Sequence, residues 1–230
     1  MSDNRFPIRK AAVLGAGVMG AQIAAHLVNA GVPVVLFDLA AKEGDPNGIV
    51  AKALAGLAKL EPAPLATAGA LAYIDAANYD RDLALLSGCD LVIEAIAERM
   101  DWKRDLYAKI GPHLAPHAIV ASNTSGLRIS EMLQGRSQSF KEHFIVMHFF
   151  NPVRYMKLLE LVCGPETSAS VLARVRYKDP GGAASVQTLP EGTVRVLFDE
   201  PRRAITPGQS VAFYEGDDVV GGGVIDRVID

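Results

Sequence analysis

Residues 10–20 read KAAVLGAGVMG, a short apolar run that leads into glycines at positions 15, 17 and 20. Helical spacing follows, and a second apolar run occupies residues 34–37. This order predicts a strand, a glycine turn, a helix and a second strand parallel to the first. Gly15 permits the tight turn, Gly17 lets a phosphate approach the backbone, and Gly20 lets the helix pack closely. We therefore expect a dinucleotide's pyrophosphate at the N-terminus of this helix, where unpaired amides face the ligand.

Asp38 follows the second apolar run, at the distance from the glycines that is typical of the acidic residue in this motif. A carboxylate at the end of that strand can accept hydrogen bonds from both hydroxyls of an adenosine ribose. A 2′-phosphate would face like charge there, and no arginine follows in residues 39–40 to compensate. The sequence therefore favours NAD over NADP, with FAD as an alternative and chance glycines in a loop as the non-functional interpretation.

Apolar, β-branched runs recur along the chain, and helical stretches separate them. The runs cover residues 91–96, 118–121 and 144–150, and the helical stretches cover residues 47–60, 101–114 and 129–133. This alternation predicts an α/β fold with a doubly wound, mostly parallel, Rossmann-like sheet.

The pattern changes near residue 172. Short β-rich runs then lie between closely spaced Gly, Pro and Asp residues, without helical period. These runs cover residues 184–189, 193–198, 210–214, 219–220 and 224–228. We therefore expect two domains, an NAD-binding domain at residues 1–172 and a small all-β, barrel-like module at residues 173–230.

Composition excludes several classes of protein. Half of the 230 residues are apolar, 21% are charged and the net charge is −3, as in globular proteins. Residues 176–230 carry six basic and nine acidic side chains, a balance that argues against a nucleic-acid partner. No apolar run reaches the roughly 18–20 residues of a membrane span, and no secretory signal is present, so we expect a soluble cytoplasmic protein. The two cysteines, Cys89 and Cys163, form no metal-ligand or disulfide pattern.

A histidine and a glutamate occupy two successive apolar runs. His148 ends the first run and Glu160 lies in the second, with a turn at residues 151–155 between them. Two adjacent strands joined by that turn would bring the side chains together, and a neighbouring carboxylate makes an imidazole a better base. The alternative is a hydrogen-bonded histidine in the core with a paired glutamate.

Polar residues at 122–125, SNTS, follow the predicted strand at residues 118–121. Ligands of open α/β sheets bind at this carboxyl edge, so Asn123 and the hydroxyls could hold a nicotinamide amide or a substrate oxygen. The alternative is an N-cap for the helix that follows.

Five segments, in chain order, resemble the NAD-binding domain of the L-3-hydroxyacyl-CoA dehydrogenases of fatty-acid β-oxidation. They are AAVLGAGVMGAQIAAHLVNAG, VVLFD, DLVIEAIAE, ASNTSGLRISEM and HFFNPVRYMKLLELV, and the resemblance covers about residues 8–175. It implies NAD as cofactor and an acyl-CoA as substrate. His148 would be the catalytic base, Glu160 its orienting partner and Ser125 a hydroxyl that hydrogen-bonds the reacting oxygen. Glu98 and Lys103 would lie by the cofactor.

The last segment, about residues 174–230, is similar to the C-terminal β-barrel of tRNA-specific 2-thiouridylases through FDEP, AITPGQ and GGGVI. The ATP loop and the sulfur-transfer cysteines of that class have no counterpart here, which argues against thiolation. From the sequence we also expect the mostly helical second domain of the dehydrogenases to be missing.

These observations lead to one main expectation, an NAD-dependent 3-hydroxyacyl-CoA dehydrogenase with an incomplete substrate site and an uncovered apolar surface that favours self-association. The alternatives are a non-catalytic NAD-binding module and an RNA-associated accessory protein that acts through the β-module.

Overall fold

The computed structural model describes residues 8–168, 171, 184–189, 193–199, 210–215 and 218–224. The chain divides into two compact units, residues 1–175 and residues 176–230. Among the helices that the structure describes, none is long and apolar enough to cross a membrane.

The first unit is built on one seven-stranded sheet. Its strands are β1 (Ala11–Leu14), β2 (Val34–Asp38), β3 (Ile74–Asn78), β4 (Leu91–Glu94), β5 (Ile119–Ser122), β6 (Phe144–Phe149) and β7 (Leu159–Cys163). Their order in the sheet is β3-β2-β1-β4-β5-β6-β7. Strands β1 to β6 pair in parallel, and β7 runs antiparallel to β6. The strand order reverses between β1 and β4, which is where open α/β sheets form a ligand crevice.

Helices connect the parallel strands and cover both faces of the sheet. They are α1 (Val18–Asn29), α2 (Gly48–Leu57), α3 (Met100–Ile110), α4 (Ile129–Met132) and α5 (Gln138–Glu142), with 3₁₀ turns at Ala68–Tyr73, Leu83–Gly88 and Gly111–His113. Alternate residues of β1 enter two cores, Ala11 and Val13 on one face, Ala12 and Leu14 on the other. Burial on both faces explains why the parallel strands are continuous apolar runs.

The predicted fold class is confirmed, and the differences concern element boundaries and one strand, β3, that was not predicted. The helix expected at residues 47–60 ends at Leu57, and that expected at residues 129–133 is a single turn. Strand β3 was not predicted, because Asp75 and Asn78 interrupt its apolar pattern. Strand β3 nevertheless pairs with β2, because its backbone forms hydrogen bonds with that strand at the edge of the sheet.

The second unit contains antiparallel strand pairs. Strands β8 (Ala184–Thr188) and β9 (Val194–Phe198) form one pair, and β10 (Ser210–Glu215) and β11 (Asp218–Val224) form the other. This part of the chain is all-β in its described residues, as expected. The prediction of separate strands at residues 219–220 and 224–228 is partly wrong, because residues 218–224 form one strand. Residues 225–228 lie outside the described residues.

Candidate active site

The glycine turn leaves open space at the N-terminus of α1. Gly15 has a φ of +103°, and a Cβ there would lie 2.9 Å from the Ala95 carbonyl oxygen. A Cβ on Gly20 would lie 1.8 Å from the Gly15 oxygen, so both positions require glycine. A Cβ on Gly17 would meet nothing within 4 Å, and no side chain caps the helix at this residue. The turn therefore leaves the first amides of α1 accessible to a phosphate.

Asp38 lies beside this turn. The backbone N–H of Ala16 donates to its Oδ2 at 2.6 Å, and that of Leu39 donates to Oδ1 at 2.7 Å. Each carboxylate oxygen can accept a further hydrogen bond. Open space before the helix, together with an anchored carboxylate beyond it, fits the pyrophosphate and the adenosine ribose of NAD.

His148 and Glu160 face each other across β6 and β7. They are register partners in the antiparallel pair, and the Nδ1 atom of His148 lies 2.8 Å from Oε2 of Glu160. The side chain of His148 is 21% exposed and that of Glu160 is 50% exposed. If Nδ1 carries the hydrogen that the carboxylate accepts, Nε2 is left to take up a proton.

Ser125 shares a cavity with this pair. The cavity has a volume of about 450 Å³ and lies within the first unit. Its wall includes Ser125, His148 and Glu160 together with apolar side chains such as Ile129 and Val162. A proton acceptor, a hydroxyl and an apolar wall thus meet in one space that is large enough for a small organic substrate.

Asn123 joins the ends of three strands. Its backbone N–H donates to the backbone carbonyl oxygen of Glu94 at 2.7 Å, and its side-chain Oδ1 accepts from the Phe149 N–H at 2.8 Å. The side-chain oxygen is therefore engaged, and the amide nitrogen is the group that can serve a ligand. The alternative N-cap role of residues 122–125 is wrong, because α4 begins after Arg128.

Glu98 and Lys103 differ sharply in exposure. The side chain of Glu98 is 44% exposed, whereas that of Lys103 is fully buried. The Lys103 Nζ atom lies 2.6 Å from Glu94 Oε1 and 3.9 Å from Glu98 Oε2. Lys103 therefore lies beneath the surface, and the partly exposed carboxylate of Glu98 lies close to it.

Glu94 is the site residue that the sequence analysis missed. It is fully buried at the end of β4 and accepts hydrogen bonds from Lys103, Tyr107 and Ser122. Burial, followed by the charge of Glu94, raises the pKa of Tyr107 well above its usual value, so this hydroxyl stays protonated. The available signal was a glutamate at the end of an otherwise apolar strand, LVIE.

Comparisons with known proteins find relatives for both parts of the chain. Residues 10–178 match the family model described as 3-hydroxyacyl-CoA dehydrogenase, NAD binding domain, and residues 154–225 match an aminomethyltransferase beta-barrel domain. A probable 3-hydroxyacyl-CoA dehydrogenase of Bacillus subtilis is 42% identical over 180 residues, which are 72% of this chain and 23% of that protein. A protein of the same description from Deinococcus radiodurans is 42% identical over 166 residues, which are 72% of this chain and 48% of that protein.

Solved structures show the same likeness. A 3-hydroxybutyryl-CoA dehydrogenase from Ralstonia eutropha is 34% identical with a TM-score of 0.61, and the match covers 74% of this chain and 59% of the other. A 3-hydroxybutyryl-CoA dehydrogenase from Escherichia coli is 29% identical with a TM-score of 0.61, over 74% of this chain and 35% of the other. The chain thus spans about a quarter to a half of these two curated relatives.

Proposed function

Because the chain belongs to the 3-hydroxyacyl-CoA dehydrogenase NAD-binding domain family, we propose that it is an NAD-dependent oxidoreductase that converts 3-hydroxyacyl-CoA to 3-ketoacyl-CoA. NAD is the cofactor of this family, and the glycine turn with Asp38 fits it. When bound, NAD accepts the hydride from the substrate carbon that bears the hydroxyl. The NAD-binding domain would occupy residues 1–172 and the β-module residues 173–230.

The residues of the cavity supply the proton chemistry. Glu160 holds Nδ1 of His148, so Nε2 removes the proton of the substrate hydroxyl, and the carboxylate stabilises the imidazolium that forms. Ser125 donates a hydrogen bond to the reacting oxygen from the same cavity wall. Asn123 and Glu98 would bind the nicotinamide side of the cofactor, and Lys103 would support Glu98 from below. The observation that carries this proposal is the His148–Glu160 pair in one cavity with Ser125.

The test is the oxidation of NADH by acetoacetyl-CoA, followed at 340 nm, with wild-type protein and the His148→Gln variant. In this direction His148 returns the proton to the substrate oxygen as a general acid. General acid–base catalysis contributes about 10²- to 10⁴-fold, so we expect the variant to lose at least about a hundredfold in kcat while NADH binding is retained. His143→Gln is the matched control, because this histidine precedes the other end of β6 and bonds to the Ser139 carbonyl.

Three outcomes decide the proposal. Equal rates for wild type and His148→Gln would overturn the base assignment. A wild-type chain that binds NADH without turning over acetoacetyl-CoA would contradict turnover by this chain and would fit either the incomplete substrate site expected from the sequence or a non-catalytic NAD-binding module. Failure to bind NADH at all would refute both functions.

Exposed apolar side chains support the proposal that the dehydrogenase unit associates with other copies or with a covering partner. Tyr155, Met156, Leu158 and Val162 are each more than a third exposed and lie in or just before the edge strand β7. Sedimentation velocity over a hundredfold concentration range tests this, and a monomer at every concentration would refute self-association.

The β-barrel match at residues 154–225 supports a further proposal, that the second unit is a module of the 2-thiouridylase C-terminal type. An RNA-associated role would follow from such a module. Filter binding with tRNA at low and high salt tests that role, and a failure to retain tRNA at either salt concentration would remove it.

A further inference from the structure

The carboxylate of Glu94 accepts hydrogen bonds from four donors that lie in three different segments. Oε1 accepts from the Ile96 N–H at 2.8 Å and from Lys103 Nζ at 2.6 Å. Oε2 accepts from the Tyr107 hydroxyl at 2.7 Å and from the Ser122 hydroxyl at 2.6 Å. One buried side chain therefore joins the loop after β4, the helix α3 and the end of β5.

Two of these partners can act only as hydrogen-bond donors. A backbone N–H and an ammonium group can only donate, so the Oε1 atom of Glu94 must act as an acceptor towards both Ile96 and Lys103. Glu94 and Lys103 both have fully buried side chains, so their ion pair is shielded from bulk solvent. A buried ion pair is stable only when its two groups are held in good geometry, and removing either partner is strongly destabilising.

Further contacts connect Lys103 with the wall of the cavity that contains Ser125. Lys103 Nζ lies 3.9 Å from Oε2 of Glu98, and Oε1 of Glu98 accepts a hydrogen bond from the Thr124 hydroxyl. The Ser125 N–H donates to the same oxygen at 3.3 Å, and the Leu127 N–H donates to the Thr124 hydroxyl oxygen at 3.2 Å. A continuous series of charged and polar contacts therefore runs from the buried Glu94 carboxylate to the part of the cavity wall that contains Ser125.

We propose that Glu94 is a positioning residue which, through Lys103 and Glu98, fixes the Ser125 backbone in the cavity wall that it shares with His148. The inference rests on the proposed function, since Ser125 matters for a reaction only if the cavity binds substrate. Glu94 acts without touching a ligand, because its side chain is wholly enclosed.

The test is amide hydrogen exchange measured by NMR on the whole chain without ligand. The variants are Glu94→Gln, Glu98→Gln and the double variant, and the reporting amides are those of Ser125 and Leu127. Asp105→Asn is the matched control, because this residue lies on the same helix α3 with an exposed side chain. Amides of β1 and β2 report on global stability.

We expect each single variant to speed exchange at the two reporting amides about tenfold, with β1 and β2 unchanged. The double variant should exchange no faster than the faster single variant, because residues of one network are not additive. Multiplied effects in the double variant, or equal acceleration of all amides, would show a merely structural role and overturn the proposal.

Glu98→Gln keeps the test decisive if Glu94→Gln does not fold, because Glu98 is half-exposed. An unchanged Ser125 amide in that variant would by itself refute the relay. NADH titration of the same wild-type sample separates the two proposals. A sample that binds no NADH refutes the proposed function, whereas the exchange data still decide whether the relay exists.

Discussion

Alanine at position 17 should separate cofactor binding from folding. Gly17 has a φ of −68° and a ψ of −173°, an extended conformation that alanine adopts without strain. The added Cβ would meet no protein atom within 4 Å. Replacing glycine by alanine at an N-cap costs at most about 1 kcal/mol, so the Gly17→Ala variant should fold.

The cost to the cofactor is larger because the methyl group would occupy the space that a pyrophosphate needs. A hydrogen bond to a charged group contributes about 1.5–3 kcal/mol, and displacing the phosphate would weaken at least one such bond to the amides of α1. We therefore expect the Kd for NADH to rise at least about tenfold, equivalent to about 1.4 kcal/mol.

Fluorescence titration with NADH measures the affinity, and thermal unfolding measures the stability of the same samples. Gly56→Ala is the matched control, because Gly56 occupies an exposed position of helix α2 and a Cβ there would also meet nothing within 4 Å. It should gain about 0.5–1 kcal/mol of stability and keep its NADH affinity. If wild type and Gly17→Ala bound NADH equally well, the phosphate could not lie against Gly17, and the placement of the cofactor would be wrong.

Other predictions concern packing, pH and thiol chemistry. Gly20→Ala should lower the melting temperature strongly, since its Cβ would lie 1.8 Å from a backbone oxygen of the glycine turn and such overpacking costs about 1–3 kcal/mol or more. Burial, and secondarily the charge of Arg154, lowers the pKa of His26 below its usual 6.5. The unfolded chain therefore takes up the proton first, so stability against urea should fall as the pH drops below about 6.5, and less so in His26→Gln. Burial raises the pKa of Cys89 to about 11, so iodoacetamide at pH 8 should label the half-buried Cys163 first, and mass spectrometry would show the reverse order if this reasoning fails.

The parts of the structure that could be predicted from sequence are those fixed by local chemistry. The glycine turn follows from three positions at which the backbone itself excludes or exposes a Cβ, and the structure shows that contrast at Gly15, Gly17 and Gly20. The meeting of His148 with Glu160 follows from two apolar runs joined by a short turn, because an antiparallel register then pairs them.

The features that could not be predicted depend on how deeply a side chain is buried and on partner residues far away in the sequence. Nothing local in the sequence distinguishes Lys103, which is fully buried, from exposed lysines on other helices. Its burial is possible only because Glu94, at the end of a strand in the middle of the sheet, supplies the opposite charge. Strand β3 was missed for a related reason, since a polar edge strand forms through its neighbour's backbone more than through its own apolar pattern.

The position of Glu94 in the sheet explains why a buried charge is useful there. The groups proposed to hold the adenosine and the pyrophosphate follow β1 and β2, whereas the groups proposed for proton transfer follow β5 and lie in β6 and β7. Strand β4 lies between these two halves, and it ends in Glu94. An apolar residue at that point could fill the space but could not hold the donors of α3, β5 and the following loop in one arrangement. The distance between a bound cofactor and the His148 imidazole would then depend on loops that pack independently, and a displacement of about 1 Å in such a site can cost a hundredfold in rate.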